Sequence, residues 1–449
     1  MNPDGTQESE EGTQVALFGS SGVRGIANKE FTPELATKIG MAVGGSLDRA
    51  AVGMDSRTSG PMIENAVSSG LMSCGCDVYS CGLVTTPTLA EAARDLDCGV
   101  MITASHNPPE YIGLKLIDPD GSGWEPEQAK LVEKAIESGD FRKKLWDEVG
   151  VRHQMTDAIE KHIHRIMNGV HQVKPMKVVV DCSNGPAFTI TPLVLQRMGC
   201  RVVTLNSNAD GYFPGRPPEP VDENLAELKN LVKSLNADLG IAHDGDADRM
   251  VAVDDKGVFL GGDQLMALFA RKYCKKKAVV TVDTSMAIDD SIDAEVTRTR
   301  VGDVFVSEEI KRSGADFGGE PSGTWIFPDQ TFCPDGILAA ARLVELANEK
   351  KLSELRTEIP VYPILRGAES FIPEDKQKVM RCLEDEMMAI EHKQLLRLDG
   401  FRLEFEDGWA LVRLSGTEPK IRYLSEAREK NRAHEIMDLI SKAVKRCVS

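Results

Sequence analysis

The chain has 449 residues, a net charge of −17 and a hydrophobic share of 41%. A chain of this length is too long to fold around one hydrophobic core, which predicts three or four domains. An acidic surface repels phosphate backbones, which excludes nucleic acid as a general partner, so an anionic ligand would need a local basic pocket.

The N-terminal residues carry no targeting or membrane signal. Residues 1–14 are polar and acidic and predict a disordered tail. We find no apolar run long enough to span a bilayer and no secretion signal, and therefore expect a cytoplasmic protein with no membrane partner.

The ten cysteines are scattered without metal-binding spacing and are expected to be reduced, buried thiols.

Three stretches of the chain share one pattern. Each has an apolar, β-branched run that predicts a buried strand and ends in an Asp suited to a helix N-cap, at Asp55, Asp181 and Asp283. Farther on, each has an Asp-x-Gly step that leads into a polar loop, at Asp97, Asp238 and Asp316. The repeat predicts three related α/β units that each deliver one loop beyond a strand end, where ligands bind in open α/β sheets.

The residues from about 366 onward break this pattern. Helix-like and strand-like segments alternate there and end in an amphipathic helix, which predicts a smaller α+β domain. The expected domain limits are 15–150, 151–253, 254–365 and 366–449.

The first polar loop is TASHNPP, residues 103–109, directly after a predicted strand. Ser105 could act as a nucleophile, but its flanks lack the G-x-S-x-G pattern of a serine hydrolase. A plain turn before Pro108 is the alternative. Lys115 could assist proton transfer or bind phosphate, or could be an ordinary surface lysine.

The second polar loop is DGDADR, residues 244–249, and it concentrates three carboxylates at alternate positions. Like charges this close require a cation, and hard oxygen ligands favour Mg²⁺ or Ca²⁺. The flanks are strand-like and the glutamate of an EF-hand is missing, so Mg²⁺ in contact with a phosphate is favoured over an EF-hand or an acidic surface turn.

Three further segments could bind a phosphorylated ligand. Residues 319–324 (GEPSGT) offer hydrogen-bonding side chains, and their glycines admit a ligand to the backbone. Residues 413–417 (RLSGT) combine an arginine with a nest of amides and hydroxyls. Arg24 lies in a glycine-rich segment and could contact phosphate. A plain turn is the alternative for residues 319–324, and a hairpin turn with a salt bridge is the alternative for residues 413–417.

These loops, in this order, resemble those of the α-D-phosphohexomutase family from about Val15 to the C-terminus, and TASHNP and DGDADR are the most specific. The resemblance implies three related α/β domains with mixed sheets around a central cleft plus a smaller α+β C-terminal domain. It implies a mutase that interconverts hexose or hexosamine 6-phosphate and 1-phosphate through a phosphoserine and a sugar bisphosphate. Mg²⁺ would be the cofactor, a sugar bisphosphate the primer, and the chain a monomer or homodimer.

The resemblance also implies roles for individual residues. The implied catalytic residues are Ser105, Lys115 and Arg249. The implied metal ligands are Ser105, Asp244, Asp246 and Asp248. The implied substrate-binding residues are Arg24, His106, Glu320, Ser322, Thr324, Arg413, Ser415, Gly416 and Thr417.

One position departs from the family pattern. Many members have Gly-Glu-x-Ser-Gly-His in the third loop, and Thr324 stands here at the histidine position. Lys115 or a water is therefore expected to take over acid/base work. Pro321 makes this loop similar to that of archaeal members described as phosphoglucosamine mutases, so glucosamine phosphate is the expected sugar. Glucose or mannose phosphate, a non-catalytic sugar-phosphate-binding protein and a Mg²⁺-dependent phosphatase remain as alternatives.

Overall fold

A computed structural model of the protein describes residues 17–19, 22–415 and 419–448. The expected tail, residues 1–14, and two of the expected ligand contacts, Gly416 and Thr417, lie outside the described residues. Within the described part of the chain, four sheets follow one another along the sequence, and no helix there is long and apolar enough to cross a bilayer.

The first unit is a mixed sheet covered by helices. Its strands are β1 (Val23–Ile26), β2 (Arg49–Met54), β3 (Asp77–Leu83), β4 (Cys98–Ile102), β5 (Tyr111–Ile117) and β6 (Arg152–Gln154), and its helices are α1 (Pro33–Gly44), α2 (Gly60–Ser73), α3 (Thr86–Ala93) and α4 (Pro126–Ser138). The spatial order is β1-β5-β4-β2-β3-β6, and β2 runs parallel to both β3 and β4. Because β6 pairs with β3, this sheet extends past the expected domain limit at residue 150.

The second unit repeats this arrangement with fewer strands. Its strands are β7 (Lys177–Asp181), β8 (Arg201–Leu205), β9 (Leu239–His243), β10 (Met250–Asp254) and β11 (Phe259–Leu260), its helices are α5 (Ala158–Gly169), α6 (Thr191–Arg197) and α7 (Ala226–Leu235), and its 3₁₀ turns are Pro186–Thr189 and Asp222–Asn224. The order is β11-β10-β9-β7-β8, and the pairing of β11 carries the sheet past the expected limit at residue 253.

The third unit has the same parallel pair at its centre. Its strands are β12 (Lys277–Thr281), β13 (Glu295–Thr299), β14 (Phe317–Glu320) and β15 (Thr324–Ile326), and its helices are α8 (Gly262–Tyr273), α9 (Asp303–Ser313), α10 (Gly336–Glu349) and α11 (Leu352–Thr357). The order is β13-β12-β14-β15. One continuous hydrophobic core joins this unit to the second, and the indole N–H of Trp325 donates to the Met250 carbonyl across that junction (2.8 Å).

The fourth unit is an antiparallel sheet with helices on one face. Its strands are β16 (Ile364–Ser370), β17 (Gln394–Leu396), β18 (Phe401–Glu404), β19 (Gly408–Leu414) and β20 (Lys420–Ala427), and its helical segments are the 3₁₀ turn Pro373–Asp375, α12 (Lys376–Ala389) and α13 (Lys430–Val448). The order is β16-β20-β19-β18-β17, and all neighbours are antiparallel. The predicted fold class, three related α/β domains plus a smaller α+β domain, is confirmed.

The expectation of ten reduced, buried thiols is wrong at four cysteines. Cys382 on α12 and Cys447 on α13 form a disulfide, with Cα atoms 5.5 Å apart. These helices pack side by side in the fourth unit, and that packing cannot be read from residues 65 positions apart in the chain. Cys81 and Cys274 are free thiols but only half-buried.

The sequence repeat corresponds to a repeated structural device. In each of the first three units, the Asp-x-Gly step starts a strand that runs parallel to the first strand of the repeat, pairing β4 with β2, β9 with β7 and β14 with β12. The Asp carboxylate accepts a hydrogen bond from the backbone amide at the start of that neighbouring strand: Asp97 from Arg49 (2.9 Å), Asp238 from Lys177 (2.7 Å) and Asp316 from Lys277 (3.2 Å).

The aspartates that end the first strands do not act as the helix N-caps that the sequence predicted. Helix α2 begins after Ser59, four residues beyond Asp55. The carboxylates of Asp55 and Asp181 instead accept hydrogen bonds from the buried side chains of Arg57 and Arg216. The sequence located these strand ends correctly and assigned them the wrong partner.

Candidate active site

The serine loop, residues 103–109, follows β4, a strand that is buried at every residue. Ser105 is 1% exposed and has a left-handed backbone (φ 50°), which costs a residue with a side chain about 1–2 kcal/mol. Its hydroxyl donates to Oδ2 of Asp244 over 2.6 Å, although 139 residues separate the two in sequence. The fold therefore brings the serine loop onto the second unit and holds it in a strained conformation.

The aspartate loop, residues 244–249, connects β9 to β10. Oxygen atoms of Asp244, Asp246 and Asp248 lie within 4.8 Å of one another, and all three residues are buried. At an effective dielectric constant of about 20, two carboxylates at that separation repel each other by roughly 3–4 kcal/mol. Burial, followed by the charges of Asp248 and Asp246, raises the pKa of Asp244 well above its ordinary value. Such a cluster requires positive charge.

Lys115 on β5 supplies part of that charge. Its Nζ donates to Oδ2 of Asp246 over 2.8 Å and also to Oδ2 of Asp248. Burial alone would lower the pKa of Lys115, but Asp246 and Asp248 outweigh burial and raise it. The side chain is therefore cationic at neutral pH and is not an ordinary surface lysine.

The remaining carboxylate oxygens fit a hard divalent cation. Oδ1 of Asp246 and Oδ1 of Asp248 are buried and have no hydrogen-bond partner. An unpartnered buried anion is costly, and Mg²⁺ binds oxygen ligands of this kind. Both neighbours of the loop are strands, β9 and β10, so the EF-hand alternative does not fit.

Two arginines and a histidine lie near Ser105 and the aspartate loop. The backbone N–H of Arg249 donates to Oδ1 of Asp244 (3.2 Å), and Nη1 of Arg24 donates to the side chain of Asn107 in the serine loop (2.9 Å). Nδ1 of His106 lies 3.4 Å from the Ser105 hydroxyl. Burial, followed by the charges of Arg249 and Arg24, lowers the pKa of His106 to about 2, so its imidazole is neutral.

The glutamate loop, residues 319–324, joins this cluster through the backbone. Thr324 forms a β-bridge with Arg249 of the aspartate loop. Oε1 of Glu320 accepts from the Gly302 amide (2.7 Å), and its Oε2 accepts from the hydroxyls of Thr324 (3.1 Å) and Ser322 (3.3 Å). Thr324, at the position of the family histidine, therefore orients Glu320. Burial, followed by the charge of Asp303, raises the pKa of Glu320 to about 7.

The fourth predicted loop is described only in part. Arg413 is the next-to-last residue of β19 and pairs with Asp399 through Nη1 (3.0 Å), and the Ser415 amide donates to the Lys420 carbonyl (2.8 Å). These contacts lie within the fourth unit. The convergence of Arg413 and Ser415 on the other three loops stays a prediction.

The sequence did not indicate two residues that the structure places at the site. The hydroxyl of Thr86, at the start of α3, donates to Oδ2 of Asp246 (2.6 Å), and its amide donates to the Asp246 carbonyl (3.0 Å). Asp303, at the start of α9, is half-buried and lines the same cavity as Lys115. Pro87 predicts a helix start next to Thr86. No local sequence pattern, however, indicates that Thr86 contacts Asp246, which lies 160 positions farther along the chain.

Comparison with protein-family models gives four consecutive matches. Residues 15–143, 156–257 and 261–362 match α/β/α domains I, II and III of phosphoglucomutase/phosphomannomutase, and residues 373–443 match the C-terminal domain of the same family. These ranges cover nearly all the described residues and follow the order of the four sheets.

Relatives with similar sequences extend over the same length. A probable phosphoglucosamine mutase of Methanosarcina acetivorans is 52% identical, covering 96% of this chain and 99% of the relative. A probable phosphoglucosamine mutase of Methanococcoides burtonii is 53% identical, covering 92% and 96%. A crystal structure of a phosphoglucomutase/phosphomannomutase family protein from Burkholderia thailandensis matches with a TM-score of 0.86 at 27% identity, covering 97% of this chain and 98% of that one.

Proposed function

The chain belongs to the phosphoglucomutase/phosphomannomutase family, and we propose that it is an enzyme that interconverts glucosamine 6-phosphate and glucosamine 1-phosphate. Support for the sugar comes from the relatives named phosphoglucosamine mutase that are about half identical over nearly the full length. The observation that carries the mechanism is the 2.6 Å contact between the Ser105 hydroxyl and the buried aspartate cluster.

In the proposed cycle, Ser105 stores the phosphoryl group. The phosphorus–oxygen bond to Ser105 breaks as a bond to the free sugar hydroxyl forms, which yields a sugar bisphosphate. The other phosphate of that intermediate then returns to Ser105. In each transfer the cationic Lys115 donates its proton to the departing oxygen, and the resulting neutral amine takes the proton that the accepting hydroxyl loses. Phosphoryl transfer of this kind depends mainly on positioning and charge neutralisation.

The residues around Ser105 divide these tasks. Mg²⁺, when held by Asp244, Asp246 and Asp248 with an oxygen of phosphorylated Ser105, supplies positive charge that neutralises the phosphoryl group. Arg24, His106 and Arg249 bind the reacting phosphate, Glu320, Ser322 and Thr324 bind sugar hydroxyls, and Arg413, Ser415, Gly416 and Thr417 bind the other phosphate.

Other features of the proposal come from the sequence alone. A sugar bisphosphate primes the cycle by phosphorylating Ser105. The domain limits, a cytoplasmic location and a monomeric or homodimeric state stay predictions.

A substrate panel with one variant tests the proposal. Glucosamine, glucose and mannose 6-phosphates are compared by kcat/KM, and we expect glucosamine 6-phosphate to give the highest value. Ser105→Ala should lower kcat by at least about 10⁴-fold, as the loss of a nucleophile does in other enzymes. Intact mass should detect phosphate on the wild type and none on the variant.

The matched control is Ser68→Ala, since Ser68 is also a buried serine but lies on α2, outside the four loops. Full turnover by Ser105→Ala would contradict the phosphoserine. Phosphate release faster than isomer formation would indicate a phosphatase, and a higher kcat/KM for glucose or mannose 6-phosphate would contradict the sugar.

A further inference from the structure

Two buried arginines lie beneath the serine loop and the aspartate loop. Arg57 follows β2 in the first unit, and Arg216 follows β8 in the second. Each binds the aspartate at the end of the first repeat strand through its Nε: Arg57 binds Asp55 over 3.1 Å, and Arg216 binds Asp181 over 2.7 Å. The two aspartates occupy corresponding places in two repeated units, although the two arginines come from different segments of those units.

The guanidinium group of Arg57 donates hydrogen bonds to three carbonyls of the serine loop and to the carbonyl of Tyr111 at the start of β5. Its Nη2 donates to the carbonyls of Ser105 (2.9 Å) and Asn107 (2.6 Å), and its Nη1 donates to those of Pro108 (2.5 Å) and Tyr111 (2.9 Å). Only arginine presents this many donors in one rigid plane. These hydrogen bonds hold the backbone of Ser105, the residue with the reactive hydroxyl, in its left-handed conformation.

Arg216 makes the corresponding contact with the aspartate loop. Its Nη2 donates to the His243 carbonyl over 2.6 Å, and the next residue in the chain is Asp244. Its Nη1 donates to the carbonyls of Pro217 (2.9 Å) and Pro218 (3.3 Å), which ties its own segment to the same point. Arg216 therefore fixes the position of the backbone at the end of β9, directly before the first aspartate of the loop.

The two loops meet at the carbonyl that Arg57 holds. A Cβ on Gly245 would lie 2.5 Å from the Ser105 carbonyl oxygen, so only glycine allows this approach. The ring of Phe213 stacks on Arg57, 5.2 Å from its guanidinium carbon, and also lies 3.6 Å from that Cβ position. A shift of either arginine would therefore change the distance between the serine and the aspartates.

A buried ion pair adds little net stability, because removing two charges from water offsets most of their attraction. The two pairs are therefore better explained by the geometry they impose. We propose that Arg57 and Arg216 are positioning residues for phosphoryl transfer, with Arg57 placing the Ser105 hydroxyl and Arg216 placing the metal-binding aspartates. The inference rests on the proposed function. It predicts that Arg57 affects the rate of phosphoryl transfer and that Arg216 affects Mg²⁺ affinity, and the two effects can be measured separately.

Lysine substitutions test the two parts against each other. Arg57→Lys keeps the charge but loses the planar fork, and we expect kcat to fall about 100-fold, the effect of a displacement of about 1 Å, with little change in KM. Transfer of phosphate from a sugar bisphosphate to Ser105, followed by intact mass in a single turnover, should slow equally. Calorimetric titration with Mg²⁺ should give the wild-type affinity.

Arg216→Lys should show the opposite pattern. We expect Mg²⁺ affinity, measured by the same calorimetry without any sugar, to fall by about 10-fold or more, as for other residues that support metal ligands. Saturating Mg²⁺ should restore most of the turnover of Arg216→Lys and none of that lost in Arg57→Lys.

The matched control is Arg342→Lys, a buried arginine on α10 that pairs with Asp329 and contacts neither loop. It should lower the thermal midpoint by a similar amount and leave kcat and Mg²⁺ affinity unchanged. Equal loss of kcat in Arg342→Lys, or equal loss of Mg²⁺ affinity in both loop variants, would overturn the inference.

Two milder variants decide the matter if either lysine variant fails to fold. Asp55→Asn and Asp181→Asn keep the side-chain shape and weaken the anchor of each arginine, and the same separation of kcat from Mg²⁺ affinity is expected. Its absence there would also overturn the inference. A wild-type chain without mutase activity would instead refute the proposed function, while its Mg²⁺ titration would still test Arg216.

Discussion

Glu320 shows how burial sets the chemistry of one residue. Its carboxylate lies among Thr324, Ser322 and the Gly302 amide, and its pKa rises to about 7 because burial and the charge of Asp303 disfavour the ionised form. The same carboxylate is the proposed acceptor for sugar hydroxyls. Its ionisation therefore falls in the range where the enzyme would work.

The pH dependence of substrate binding should reveal this ionisation. Ionised Glu320 accepts hydrogen bonds more strongly than the protonated acid. We therefore expect KM for the sugar phosphate to fall as pH rises from about 6 to 8, through the raised pKa of about 7. Glu320→Gln should lose that part of the pH dependence, while the ionisation of the substrate phosphate still acts on both proteins. The same slope in both proteins would contradict the assignment.

Stability should change in the opposite direction. Because the pKa of Glu320 in the folded chain lies above its ordinary value of 4.5, the folded state binds the proton more tightly than the unfolded state. This residue's contribution to stability is therefore present below pH 4.5 and is lost as pH rises to about 7. Thermal midpoints of the wild type and Glu320→Gln should converge at low pH and separate at high pH, with the variant relatively more stable.

At the scale of elements, the Asp-x-Gly step explains why three different sequences build the same pair of parallel strands. The Asp fixes the start of the neighbouring strand, and the Gly admits the covering helix. A Cβ on Gly240, for example, would lie 2.8 Å from Val232 of α7. The step is therefore a feature of packing, and it places each functional loop at the far end of its strand.

Asp316 is the strongest example of this anchor. Its Oδ2 accepts from the amides of Lys275 (3.1 Å), Lys276 (2.6 Å) and Lys277 (3.2 Å). Burial alone would raise the pKa of Asp316, but these hydrogen bonds outweigh it and hold the pKa below its ordinary value. Stability from this ion is present above the ordinary pKa of 3.8 and is lost as pH falls through the depressed value.

We expect Asp316→Ala to destabilise the third unit by about 1–2 kcal/mol at pH 7, the range for hydrogen bonds to a charged group that is partly exposed to solvent. Calorimetric unfolding should show this as a lower midpoint. Asp316→Asn, which keeps one acceptor oxygen, should lose less. Equal midpoints for Asp316→Ala and the wild type would show that the three hydrogen bonds contribute nothing net.

At the scale of the whole molecule, the four units are joined unequally. The second and third share a core, whereas the fourth has its own core and meets the third through a small apolar cluster that includes Val282 and Trp409. Glu426, buried in that junction, accepts from the Ser285 hydroxyl (2.6 Å) and the Met286 amide (2.8 Å). A few polar contacts therefore set the position of the fourth unit.

Glu426→Gln tests this junction. A neutral amide oxygen accepts from the Met286 amide more weakly than the carboxylate does, so we expect about 1 kcal/mol of lost stability and a higher KM for the sugar phosphate. Mg²⁺ affinity, which depends on the first and second units, should stay unchanged. The control is Glu386→Gln, which removes an exposed ion pair with Arg446 within the fourth unit and should alter neither property. A parallel loss of Mg²⁺ affinity in Glu426→Gln would contradict this division.

Much of the architecture followed from local patterns. Strand ends at Asp55 and Asp181, the change of pattern near residue 366 and the order of the polar loops all depend on periodicity and turn chemistry within a few residues. The partners of those residues did not follow, because Asp55 was predicted to cap a helix and instead binds Arg57. The disulfide between Cys382 and Cys447 was missed for the same reason.

The sequence by itself determined which chemical groups are present and that the serine loop and the aspartate loop each lie just beyond a buried strand. Only the tertiary structure decided that Ser105 contacts Asp244, that Lys115 neutralises Asp246 and that Thr324 orients Glu320. Hydrophobic periodicity reports which face of an element is buried, but the distance between two loops depends on how separate units pack. That packing is set by contacts between residues that are far apart in the chain.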